Sequence, residues 1–126
     1  MNPQHLKYTE SHEWIRDDGG VYVVGITEYA AEQLGDITYV ELPEAGEELE
    51  QDDEAATVES IKAASEVYTP VGGRVVDVNE RLNENPEIIN KSPYDEGWIF
   101  KLEDVLVAEF DDLMNAKQYD IFVKSL

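Results

Sequence analysis

The chain has 126 residues, 42% of them apolar, no cysteine, and 29 Asp and Glu against nine Lys and Arg, a formal net charge of −20. This length suits one domain with one core, and the missing cysteines exclude disulfides, thiolate metal sites and thiol nucleophiles together. The charge repels nucleic acid and anionic lipid and favours basic protein partners.

No run approaches the roughly 18 apolar residues of a membrane span, and Met1–Lys7 lacks a signal-peptide core. The expectation is a soluble, unexported protein, cytoplasmic if the source is bacterial.

Val21–Ile26 is β-branched and aromatic and reads as a strand, as does Asp36–Leu42. Between them Thr27 suits a helix N-cap, Glu28 the first turn, Ala30 and Leu34 one helix face, and Gly35 the stop. Leu42-Pro43-Glu44-Ala45-Gly46 predicts a turn. Glu47–Glu54 then holds six acids in eight positions without the loop glycine or ligand alternation of an EF-hand, and reads as a solvated acidic edge.

Extended segments are expected at Ala55–Glu59, Glu66–Thr69, Arg74–Val78 and Trp98–Leu102, with a polar, Pro-containing stretch over Asn79–Pro86. Phe110, Leu113 and Met114 fall at i, i+3 and i+4, with Asp111 and Asp112 near a helix start, predicting a terminal helix. Gly35, Ile37 and Val40 echo Gly73, Val75 and Val78 at an offset of 38 residues. Many short strands and this echo predict a mainly β fold, a flattened barrel or sandwich built from two related halves. The expected layout is one domain over 1–126, with a core at about 8–105 and a helical segment at about 108–124.

Lys62 is the only Lys or Arg between Arg16 and Arg74, and fifteen acids lie from Asp17 to Gly73. Small residues surround it in Glu59-Ser60-Ile61-Lys62-Ala63-Ala64-Ser65-Glu66, between two strand-like segments, which suits a tight exposed turn. A primary amine on a four-carbon stem can be acylated, whereas a guanidinium stays charged and is a poor nucleophile. Amide formation at that amine needs an activated acyl donor, which an attaching enzyme must bring.

That octapeptide resembles the lipoylation segment of the glycine cleavage system H proteins. The likeness continues in order through Ser11-His12-Glu13-Trp14, Val24-Gly25-Ile26-Thr27, Leu34-Gly35-Asp36 and Leu42-Pro43-Glu44-Ala45-Gly46. It extends through Val75-Val76-Asp77-Val78-Asn79, Pro86-Glu87-Ile88-Ile89-Asn90 and Pro93-Tyr94-Asp95-Glu96-Gly97-Trp98. The resemblance implies a lipoyl-domain (barrel-sandwich hybrid) fold, a lipoate amide-linked to Lys62, and a monomeric, non-catalytic shuttle with no metal.

Its implied partners are the pyridoxal-phosphate glycine decarboxylase, which loads an aminomethyl group, and the tetrahydrofolate-dependent aminomethyltransferase, which unloads it. Dihydrolipoyl dehydrogenase reoxidises the arm, and a lipoate ligase or lipoyl transferase installs it. A protonated, hydrolysable cargo would benefit from a carboxylate-lined cleft. Glu13 and Ser11, two apart and so able to share one side of a strand, and Glu66, just beyond the lysine turn, are the candidates. The chain departs from the usual family pattern at Ala31, where glutamine is common, and at Gly72, where serine is common.

Competing readings fare worse. Ser11-His12-Glu13 as strand neighbours cannot chain nucleophile, base and orienter. Two histidines without cysteine make no zinc pattern, and Trp14 and Trp98 suit a core better than a recognition surface. Lipoyl domains of 2-oxoacid dehydrogenases usually carry Asp before the lysine and biotin carriers methionine on each side; here Ile61 and Ala63 flank it. A regulatory protein or a lipoyl donor with the same fold is the alternative function.

So large a charge also opposes compactness through self-repulsion, so moderate added salt is expected to raise the thermal midpoint. Melts that show no rise, or a fall, would contradict this.

Overall fold

The computed structural model describes residues 2–126. It opens with β1 (Lys7–Tyr8), β2 (Glu13–Asp18), β3 (Val21–Ile26), α1 (Glu28–Leu34) and β4 (Ile37–Glu41). There follow β5 (Glu48–Leu49), β6 (Glu54–Ser60), β7 (Ala64–Tyr68), β8 (Gly73–Val78), α2 (Arg81–Glu84) and α3 (Ile88–Lys91). The chain ends with β9 (Phe100–Glu103), α4 (Val107–Asp111) and α5 (Ala116–Lys124).

Two antiparallel sheets result, a six-stranded one in the order β1-β2-β3-β9-β8-β5 and a three-stranded one in the order β4-β6-β7. The fold is the expected sandwich, not a closed barrel. Alternation along β2 and β3 sets the layers. Ile15, Val24 and Ile26 belong to the main core with Val40, Val58 and Val67 of the smaller sheet. Trp14 and Val23 join a second cluster with Leu6, Tyr8, Ala116 and Tyr119, so α5 and the N-terminal segment form a third layer. Both faces of β3 are therefore covered, which explains its unbroken apolar run.

Thr27 caps α1 as expected, its hydroxyl accepting from Ala30 N, and Gly35 ends the helix at φ 78°. The C-terminal helical segment is present but broken in two. Asp111 and Asp112 stand at the end of α4, and Asn115 starts α5 through a capping box with Gln118. The break occurs where Met114 pairs with Tyr8 in both directions, N to O at 2.8 and 3.1 Å. The polar, Pro-containing stretch Asn79–Pro86 contains α2, and α3 follows soon after it; both are single turns without side-chain caps. The two segments of the sequence echo become β4 and β8, strands of different sheets.

Candidate functional site

The β6–β7 hairpin ends in Ser60-Ile61-Lys62-Ala63, closed by Ser60 N to Ala63 O at 2.8 Å. Ser60 Oγ accepts from Lys62 N at 3.1 Å and Ala63 N at 3.2 Å, so one small side chain organises the turn. Its other two residues, Ile61 and Lys62, are exposed. The ion pairs among the described residues belong to Arg74 and Arg81, and none engages Lys62. The amine is free to be acylated.

Behind the lysine lies the segment from α1 to β4. A Cβ placed on Gly35 would sit 3.4 Å from Lys62 Cε and 3.7 Å from Nζ, so the bare glycine backbone leaves space for the stem, and its positive φ favours glycine. Asn90 of α3 holds this segment from both sides. It accepts from Ile37 N at 3.0 Å and donates to Gly35 O at 2.8 Å. Asn90 was visible in the sequence only as part of a matching stretch; nothing local to it signalled a clamp.

A shallow cleft of about 310 Å³ runs from here, lined by Leu34, Gln33, Ala30 and Tyr29 of α1, by Ser11 and His12, and by Ser65 of β7. Its walls combine an apolar side with hydroxyl, amide and imidazole groups, a suitable setting for a long alkyl arm with a polar end. Ser11 thus borders the cleft, and Glu13 lies beneath it, only 1% exposed. Glu13 Oε1 accepts from Thr9 Oγ1 and Ser11 Oγ, both at 2.6 Å, and Oε2 accepts from Tyr68 N at 3.2 Å.

Ser11 and Glu13 meet by a different route from the one the spacing suggests. Ser11 stands in the turn before β2, and His12, at φ 71°, bends the chain so that the hydroxyl reaches the carboxylate. Glu66 is not brought to them. It is exposed, faces Thr57 across the β6–β7 ladder and accepts from its hydroxyl at 3.1 Å. Alternation puts it on the sheet face opposite Ser65.

Burial raises the Glu13 carboxyl above the ordinary range, against the three hydrogen bonds that favour its charged form. The folded state then binds this proton more tightly than the unfolded one, a stabilisation fully present below about pH 4.3 and lost as pH rises through the folded value. Glu13→Gln is expected to flatten that part of the stability–pH curve measured by urea denaturation. Glu13→Ala is expected to cost about 1–3 kcal/mol, because it leaves two hydroxyls and a backbone N–H without an acceptor.

Comparison with known proteins follows the same lines. The family model described as glycine cleavage H-protein matches residues 6–126. The glycine cleavage system H protein of Symbiobacterium thermophilum is 52% identical over 122 residues, covering 97% of this chain and 95% of that protein. That of Listeria monocytogenes is 50% identical over 118 residues, covering 94% of each. The crystal structure of the glycine cleavage system H protein from Mycobacterium marinum superposes with a TM-score of 0.88 at 33% identity, covering 99% of this chain and all of that one. With the family match spanning residues 6–126 and the fold shared along the whole chain, the chain belongs to the glycine cleavage H-protein family, the lipoyl-bearing carriers of that system.

Proposed function

We propose that Lys62 carries lipoate in amide linkage and that the protein shuttles the one-carbon cargo of glycine cleavage between enzymes. The observation that supports this best is the exposed lysine on a turn organised by Ser60, its stem against Gly35 and a cleft of mixed polarity beginning at the adjoining Leu34. Acylation removes the lysine charge, so the stem can lie along Leu34 and Ala30 without a desolvated cation. When attached, lipoate supplies a redox-active sulfur pair that can hold the cargo.

The chain's own residues supply placement. Ser60 fixes the tip, Asn90 fixes the backing segment, and Ser11 with Glu13 provides a hydroxyl–carboxylate pair at the cleft to meet a protonated amine. Glu66 lies on the outer face of the same hairpin and takes no part in this pair. The partners are the pyridoxal-phosphate glycine decarboxylase, the tetrahydrofolate-dependent aminomethyltransferase, dihydrolipoyl dehydrogenase, and the ligase or transferase that attaches lipoate. No turnover belongs to the carrier itself.

Glycine–bicarbonate exchange tests this. Purified decarboxylase is expected to exchange label only when the lipoylated protein is added; a regulator with the same fold would support none. Glu13→Ala is expected to slow loading or to shorten the lifetime of the loaded form. If both were unchanged, the carboxylate would have no part in the cleft.

A further inference from the structure

His12 stands between the two polar residues assigned to the cleft, yet its ring turns toward α5. Its Nδ1 lies 2.8 Å from the Tyr119 hydroxyl, and that hydroxyl lies 2.8 Å from Thr27 Oγ1. Thr27 and Tyr119 are fully buried. The ring also packs against Tyr29, tilted by 43° with ring centroids 4.7 Å apart, and lies 5.9 Å from Phe122, and its backbone is held in the left-handed region at φ 71°. A histidine in that conformation is uncommon and indicates a position held by its surroundings.

The direction of the hydrogen bonds can be worked out from one end. Thr27 Oγ1 already accepts from Ala30 N, as the cap of α1. Its own hydrogen needs an acceptor, and among the described residues the Tyr119 oxygen is the one in reach. Were Tyr119 to donate to Thr27 instead, the Thr27 hydrogen would be buried without a partner, the costly arrangement. Thr27 therefore donates to Tyr119, Tyr119 donates to His12 Nδ1, and the imidazole proton is left on Nε2, which has no hydrogen-bond partner among the described residues.

We propose that this directed chain, Thr27 to Tyr119 to His12, locks His12 as its neutral Nε2–H tautomer and makes it a positioning residue of the cleft, joining α1 and α5 to the turn that aims Ser11 at Glu13. The proposal rests on the carrier reading for its purpose. A neutral donor leaves the wall free of positive charge where an amine-bearing arm would lie, whereas an imidazolium would repel that amine and lose Nδ1 as an acceptor. Protonation therefore breaks the chain and unsettles the turn together.

The titratable groups packed on the ring are Tyr29 from α1 and Tyr119 from α5, and Glu13 follows it in the chain. Burial holds His12 below the ordinary histidine range. Its contribution to stability is then present above about pH 6.5 and lost as pH falls toward the folded value.

Imidazole ¹H–¹⁵N correlation spectra of the unlipoylated protein test the tautomer without any cargo. At pH 7 the His12 resonances are expected to show protonated Nε2 and bare Nδ1, and in Tyr119→Phe to move toward a tautomer mixture with a raised titration point. A protonated Nδ1, an imidazolium at pH 7, or an unchanged spectrum in a folded Tyr119→Phe would overturn the proposal. Should that variant not fold, the wild-type spectrum decides alone.

The purpose is tested on lipoylated protein loaded by the decarboxylase. Loss of the loaded form, followed by mass, is expected to accelerate severalfold as pH falls through the His12 titration. That step is expected to vanish in His12→Asn, whose side-chain oxygen can accept from Tyr119 without titrating. A pH step that persists in His12→Asn would overturn it. Failure to find lipoate on Lys62 would defeat the carrier reading instead and leave the spectra as they are.

Discussion

Lys62→Arg is expected to abolish glycine–bicarbonate exchange with the decarboxylase, down to the level seen without carrier, while leaving the fold as stable as before. The substitution keeps the positive charge and most of the stem but removes the acylable amine. Lys62 is exposed, engages in no ion pair among the described residues and contributes little to packing. Urea and thermal midpoints are therefore expected to match wild type within about 0.5 kcal/mol. Exchange activity in a folded Lys62→Arg protein would place the attachment elsewhere.

The largest stability effect is expected at a residue far from the hairpin. Gly25 faces Trp14 across the β2–β3 ladder, and a Cβ there would lie 2.7 Å from Cε2, Cζ2 and Nε1 of the indole. The ring has nowhere to go. Its Nε1 donates to Pro93 O at 2.8 Å, it is fully buried, and it packs in the cluster of Leu6, Tyr8 and Tyr119. Gly25→Ala forces either the loss of that hydrogen bond or a shift of β3, costing about 2–3 kcal/mol and roughly 10 °C in thermal midpoint. Tyr119, the hydrogen-bond partner of His12, belongs to this same cluster, so the damage is also expected to reach the cleft. A midpoint equal to wild type would mean that the indole does not lie over Gly25.

Some of this was legible in the sequence for clear reasons. β3, β4 and β8 are rich in β-branched and aromatic residues and bounded by turn formers, and α1 is framed by Thr27 and Gly35. Lys62 stood out because it is the one cation in a long acidic stretch, and the small residues around it fit the turn that Ser60 organises. What was not legible depends on contacts distant in sequence. β1 and β5 have two residues each and exist through their partners β2 and β8. The break between α4 and α5 follows from the pairing of Met114 with Tyr8, more than a hundred residues away.

The site shows the same division. The Ser-x-Glu spacing singled out two residues that meet in the structure, but by another geometry, since no periodicity foretells a left-handed histidine between them. The burial of Glu13 depends on Tyr68 arriving from β7, and the distance of Glu66 from it depends on hairpin register. His12, Tyr119 and Thr27 meet only after three layers have formed. Residue types announce chemistry early, whereas orientation comes from packing.

Intact-protein mass measurement on material from cells supplied with lipoate, followed by peptide mapping, tests the central claim most directly. The account predicts one lipoyl-sized increment per chain, located on the peptide that contains Lys62 and missing from Lys62→Arg. An unmodified chain in the presence of a competent attachment enzyme, or an increment on another lysine, would contradict it.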